Sequence, residues 1–225
     1  MVLITRSSRF WRSTLIFVTA IVLVRASIAD WNRVPTGSMM PTILPGDRIA
    51  VDKLAYDLRL PFTLKRLVRW SDPSRSDIIT FESPKDRGLV VKRVIGIPGD
   101  RVQLVNDALW VNGEPAGYTP AAGVQPTDHA GELNIERIET VLGTTRTILQ
   151  ATTSSPPFPG AFPAVQVPNQ HYLVLGDNRG NSQDYRTFGF VHRSTITGRA
   201  YAVLFSLNYD NRYLPRANRF FRSLL

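Results

Sequence analysis

The chain has 225 residues, 43% of them hydrophobic, a net charge of +9 and no cysteine. That length suits one medium domain or a core with an excursion, and the charge favours anionic partners. The missing thiols exclude a cysteine nucleophile, thiolate zinc sites and disulfides.

Residues 1–12 carry Arg6, Arg9 and Arg12 and no acid. Residues 13–24 are uncharged and mostly apolar, Arg25 interrupts, and the apolar character continues weakly to Ala29. As one helix, residues 13–29 would span about 26 Å at ~1.5 Å per residue, the short end for a bilayer core of ~30 Å. Trp11 and Trp31 flank the stretch as interfacial aromatics do. Arg25 lies close enough to one end for its head to snorkel. This predicts a single-pass anchor over 13–29, with 1–12 cytoplasmic and everything after residue 30 across the membrane. A cleaved signal peptide ending at Ser27-Ile28-Ala29 is the rival reading. Arg25, inside what should then be a neutral stretch, argues against it.

After residue 30 the pattern is β-rich. Ile49-Ala50-Val51, Asp77-Ile78-Ile79-Thr80-Phe81 and Leu89-Val90-Val91 are short β-branched runs between Gly, Pro and Asp breaks. Runs 102–105 and 109–111 flank Asn106-Asp107, and Asn112-Gly113 is a further turn signal. Runs 171–175 and 200–205 read as buried strands, and the one weak helical candidate is 64–70. Residues 114–169 are rich in Pro, Gly, Ala and Thr, with a surface loop expected at 152–159. The prediction is a mainly β protein: a core of 30–113 and 170–207, an insertion at 114–169 and a basic aromatic tail at 208–225. That tail, with Arg212, Arg216, Arg219 and Arg222 among aromatics, suits either a membrane surface or a solvated end packing Phe220 and Phe221 on the core.

The histidines are His129, His171 and His192, with no metal-ligand spacing, so neither a metal nor another cofactor is expected. His192 reads as a surface residue, and no Ser-His-Asp triad is convincing. A serine hydroxyl needs a base, and a lysine serves if it is neutral. Its reference pKa of ~10.4 must then fall towards ~7–8, which burial can achieve. Lys92, between Gly88-Leu89-Val90-Val91 and Val94-Ile95, has the apolar neighbours this needs. Strand alternation puts Lys92 and Arg93 on opposite faces, expected as one inward and one outward.

Three strings then act together. They are Ser38-Met39-Met40-Pro41-Thr42; Lys92-Arg93-Val94-Ile95-Gly96-Ile97-Pro98-Gly99-Asp100; and the run 176–186, Gly-Asp-Asn-Arg-Gly-Asn-Ser-Gln-Asp-Tyr-Arg. In this order and content the chain resembles bacterial type I signal peptidases over roughly residues 10–205, with weaker matching strings at 46–53 and 76–81. The resemblance implies a mainly antiparallel β catalytic core with an inserted β subdomain. It implies Ser38 as nucleophile, Lys92 as general base, and Thr36 with the Ser38 N–H as oxyanion hole. Ser182 would orient the lysine, with Asp184 and Arg186 as a supporting ion pair. Val34, Pro35, Met39, Ile43, Val90 and Val91 would line the pockets for small substrate side chains. Secretory preproteins are the implied substrates, cleaved after small-x-small sites at the outer face of the cytoplasmic membrane, with transient contact with the export translocon. Anionic lipid is the preferred partner for the positive charge, because the basic residues are scattered and no nucleic-acid motif occurs. The chain departs from the family pattern in Thr36 where Ser is usual, Ser76 where Gly is usual, Ile43-Leu44 where Leu is expected first, and Val90 at an often aromatic position. A pilin-maturing peptidase with the same Ser/Lys pair, or an anchored β-domain that binds preproteins without cutting them, are the alternatives.

Overall fold

The structure, a computed structural model, describes residues 10–17, 19, 21, 29–60, 63–121, 127–129, 132–151, 160–209 and 211–224. Helix is present at residues 10–17, 19 and 21, starting ahead of the expected residue 13. No helix among the described residues is long and apolar enough to cross a membrane, and most of the predicted span beyond residue 21 lies outside them. Ala29, expected to end that span, instead opens a strand. The loop expected at 152–159 also lies outside the described residues.

In chain order the strands are β1 (Ala29–Arg33), β2 (Asp47–Asp52), β3 (Asp57–Arg59), β4 (Arg66–Arg69), β5 (Ile78–Glu82), β6 (Leu89–Gly96) and β7 (Arg101–Val105). Next come β8 (Ala108–Val111), β9 (Glu114–Pro115), β10 (Gly117–Pro120), β11 (Thr127–His129), β12 (Glu132–Val141) and β13 (Thr144–Ala151). Last come β14 (Phe162–Gln166), β15 (His171–Leu175), β16 (Val191–His192), β17 (Ile196–Asn208), β18 (Leu214–Pro215) and β19 (Arg222–Ser223). The main sheet runs β1-β2-β17-β5-β6-β15-β16, with β18 and β19 also paired to β17, and its ladders are antiparallel. Both its faces are covered. Ile78 faces a cluster with Val34, Met39, Ile43, Ile49 and Val203, while its neighbour Ile79 faces one with Phe81, Val94, Tyr172 and Val174.

A second sheet joins β10, β11, β12 and β13, and a third runs β14-β7-β8-β9. The third is turned by the expected pairs: Asn106 and Asp107 have φ of 49° and 63°, and Asn112 and Gly113 have 54° and 86°. Two successive residues at positive φ match the right-handed twist of the strands they join. Residues 64–70 are not helical. Arg66–Arg69 pairs with Asp57–Arg59, because Asp57 takes Arg66 Nε at 2.7 Å and the Arg193 carbonyl takes Arg66 Nη2 at 2.7 Å. Leu67, Val68 and Trp70 stay exposed, so no buried face exists to reward a helix.

The tail does not pack its two phenylalanines on the core. Phe220 and Phe221 point outward, while Arg219 and Leu224 are buried.

Candidate active site

Ser38 lies in the loop between β1 and β2, just ahead of a cis Met40–Pro41 bond. The loop is internally tied, with the Met40 N–H donating to the Gly37 carbonyl at 3.0 Å and the Ile43 N–H to the Met39 carbonyl at 2.9 Å. Lys92 stands mid-way along β6, opposite Ile79 of β5. Its Nζ lies 2.5 Å from Ser38 Oγ, 54 residues earlier in the chain. Lys92 is only 3% exposed and has no ion pair among the described residues. Burial strips water from the ammonium and lowers its pKa from 10.5 to about 8, Asp184 and Asp177 pull it up, and Arg186 pushes it down.

Arg93 departs from expectation. It does take the face opposite Lys92, but it is buried too. Asp177 accepts its Nε at 2.8 Å and its Nη2 at 2.7 Å, a bidentate pair that also takes the Thr42 hydroxyl at 2.6 Å. The reason is the loop after β15, which covers that side of the sheet.

This loop, residues 176–186, holds the Ser38 backbone from behind. Asn178 donates its backbone N–H to the Ser38 carbonyl at 3.1 Å and its Nδ2 to the Gly37 carbonyl at 3.3 Å. In a trans peptide the Gly37 C=O and the Ser38 N–H point in opposite directions, so holding one aims the other. Gly176 lets the two segments touch, since a Cβ there would collide with the Ser38 carbonyl oxygen and with Ser182 Oγ. Asp184 is fully buried, caps the short helix Tyr185–Phe188, and accepts Gly176 N–H at 3.0 Å with Arg186 Nε and Nη2 at 2.9 Å each. Burial alone would raise its carboxyl; Arg186 and the Gly176 N–H outweigh that and hold it below the ordinary range.

Of the remaining predicted residues, Thr36 Oγ1 is 3.5 Å from Ser38 Oγ. Ser182 is buried, but among the described residues its Oγ meets no partner in hydrogen-bond geometry, Lys92 included, although it sits near enough to Asp184 to help hold that carboxyl down. Val34, Pro35, Met39, Val90 and Val91 do line a cleft of about 440 Å³, which also takes in Thr36, Ser38, Lys92, Leu89, Asn181 and Gln183. Ile43 does not. It is fully buried in the cluster with Val34 and Met39, because the loop's turn at Met39–Ile43 points it into the core. Ser76, in place of the usual Gly, sits at φ 72° and accepts Arg146 Nη1 on its hydroxyl at 3.3 Å and Arg93 Nη1 on its carbonyl at 2.9 Å.

Residues that sequence reasoning missed lie in the second sheet. Glu139 of β12 is fully buried and takes Arg179 Nη1 and Nη2 at 2.7 Å each, Arg146 Nε at 2.6 Å and the Tyr118 hydroxyl at 2.8 Å. Burial would raise Glu139, but the Arg179 and Arg146 charges hold it at about 2. With the parallel bridge Leu149↔Asn178, this clamps the second sheet to the loop behind Ser38. Only the string around Gly176 and Asn178 carried a sequence signal; a single acid in a strand carries none.

The profile of the family described as "Signal peptidase, peptidase S26" matches residues 7–205. The chain is 33% identical to the signal peptidase I of Pseudomonas fluorescens and 31% to that of Pseudomonas aeruginosa, in each case over 83% of this chain and 68% of the relative. It is 30% identical to the signal peptidase I of Rickettsia akari, over 95% of this chain and 92% of that one. A crystal structure of a signal peptidase I from Enterococcus faecalis aligns at 32% identity and a TM-score of 0.37, covering 57% of this chain and 97% of that one. With its profile match running nearly the length of the chain and its relatives alike over most of theirs, this protein belongs to the signal peptidase family, peptidase S26.

Proposed function

We propose that the chain is a membrane-anchored endopeptidase that cuts signal peptides from exported preproteins after small-x-small sites, with Ser38 as nucleophile and Lys92 as general base. The observation that carries this reading is the 2.5 Å approach of a buried lysine amine, without an ion pair among the described residues, to a serine hydroxyl in a cleft lined largely by apolar side chains. A neutral Lys92 accepts the Ser38 proton as Oγ attacks the scissile carbonyl carbon. The resulting oxyanion faces the Ser38 N–H and the Thr36 hydroxyl, donors of the kind worth ~3–4 kcal/mol each when pre-aimed. Collapse breaks the C–N bond, and the Lys92 ammonium returns its proton to the leaving amine. Water then repeats the sequence on the Ser38 ester, with Lys92 again taking and returning a proton. Val34, Pro35, Met39, Val90 and Val91 line the cleft with apolar side chains, suited to small aliphatic groups of the substrate. The basic, apolar N-terminal stretch supports anchoring, with the catalytic part on the outer face. Asp184 and Arg186 act through shape, fixing the loop behind the nucleophile.

The test is mass spectrometry of products from a preprotein with an Ala-x-Ala site. Wild type should yield the mature chain cut after the second alanine. Ser38→Ala and Lys92→Ala should yield none while keeping wild-type far-UV and near-UV circular dichroism. Turnover retained in the lysine variant rejects the base.

A further inference from the structure

The family match ends at residue 205, yet the segment beyond it is built into the underside of the active site. Arg222 and Ser223 pair with Val203 and Ala202, and Leu224 enters the cluster that holds Val34, Met39 and Ile43. Two arginines of the same segment grip the loop that carries Ser38. Arg219, 3% exposed, donates from Nε and Nη2 to the two Asp47 oxygens at 3.0 and 2.6 Å, and from Nη2 to the Thr42 carbonyl at 2.9 Å. Asp47 in turn accepts the Leu44 N–H at 2.8 Å. Arg216 Nη1 donates to the Pro45 carbonyl at 3.0 Å, and to Ser206 Oγ and the Leu207 carbonyl at 2.8 and 3.1 Å. Residues 42 and 45, both within seven positions of Ser38, are thus held directly from the far end of the chain, and residue 44 through Asp47.

A buried ion pair contributes little net stability once desolvation is counted, so what Arg219–Asp47 supplies is geometry. A planar guanidinium fork bonded at once to a carboxylate and a main-chain carbonyl admits one placement of the loop, which a lysine point charge does not impose. We propose that residues 216–224 are a positioning element for the nucleophile, with Arg219, acting through Asp47 and the Thr42 carbonyl, setting the Ser38 loop against Lys92. The proposal rests on the Ser38/Lys92 reading of the site.

Two readouts on the full chain test it. One is steady-state cleavage of a small-x-small peptide by Arg219→Lys and Arg216→Ala, and by Arg219→Ala where it folds. The other is amide hydrogen exchange at Met40 and Ile43, whose N–H groups close the loop. Displacing a reacting atom by about 1 Å can cost ~10²-fold, so Arg219→Lys should lose tenfold or more in kcat with KM within about twofold. Exchange at Met40 and Ile43 should quicken in step, with Arg216→Ala showing a smaller change of the same kind. Leu67→Ser, at an exposed side chain of β4 outside this segment, should leave both readouts unchanged. Wild-type kcat and wild-type exchange in Arg219→Lys overturn the proposal. If the wild-type chain cleaves no such peptide, the peptidase reading fails, and exchange at Met40 and Ile43 still decides the brace.

Discussion

Replacing Lys92 with Met should stabilise this protein near neutral pH while destroying its activity. Methionine is unbranched, apolar and close to lysine in length, so it can occupy the same space. Folding lowers the Lys92 pKa from 10.5 to about 8, chiefly by burial. At 1.36 kcal/mol per decade, that fall costs ~3 kcal/mol of folding free energy below about pH 8. The sign follows from proton counts. Between about 8 and 10.5 the unfolded chain holds a proton that the folded chain has released, so stability rises with pH through that window. Methionine escapes the penalty but forfeits the contact with Ser38 Oγ, worth about 1 kcal/mol. The variant should therefore be more stable than wild type by about 2 kcal/mol near pH 7, with the advantage gone by about pH 10.5. Paired urea denaturation at the two pH values measures this, and the difference between the two proteins cancels the titration of every other group. A variant less stable than wild type by the same margin at both pH values would refute the reasoning, because the amine would then carry no desolvation penalty.

The same desolvation sets the activity profile: kcat/KM should climb about tenfold per pH unit in acid and level off above about 8. A profile flat from acid to alkaline conditions would argue against a lysine base. Gly176→Ala places a methyl group against the Ser38 carbonyl and Ser182 Oγ. It should lower stability by ~1–3 kcal/mol and remove most turnover, and wild-type values of Tm and kcat would dismiss the contact. Glu139→Gln leaves Arg179 and Arg146 without their shared anion and should cost ~3–5 kcal/mol in chemical denaturation at neutral pH. Because Glu139 is held at about 2 against an ordinary 4.5, its contribution is full above 4.5 and fades as pH falls towards about 2. The gap between variant and wild type should narrow across that range, and a constant gap speaks against the ion triad.

Some of this architecture is written in neighbouring residues. The hairpin turns at Asn106-Asp107 and Asn112-Gly113 were legible because positive φ is a property of one or two residues and needs no distant partner. That Ser38 and Lys92 come together was legible because each sits in a dense local string. Alternation along β6 likewise assigned Lys92 and Arg93 to opposite faces. Whether a face is covered is another matter. Arg93 is buried because Asp177, 84 residues away, lies over it. Ile43 left the pocket because a turn directed it into the core, and residues 66–69 of the expected helix became a strand because Asp57 and the Arg193 carbonyl claim Arg66. The buried Glu139 among arginines and the grip of Arg219 on Asp47, 172 residues earlier, had no sequence mark at all. Steric preference and periodicity act over a few residues, and a chain carries them openly. Burial of a charge depends on which remote group arrives to satisfy it, and that is settled only when the sheets close.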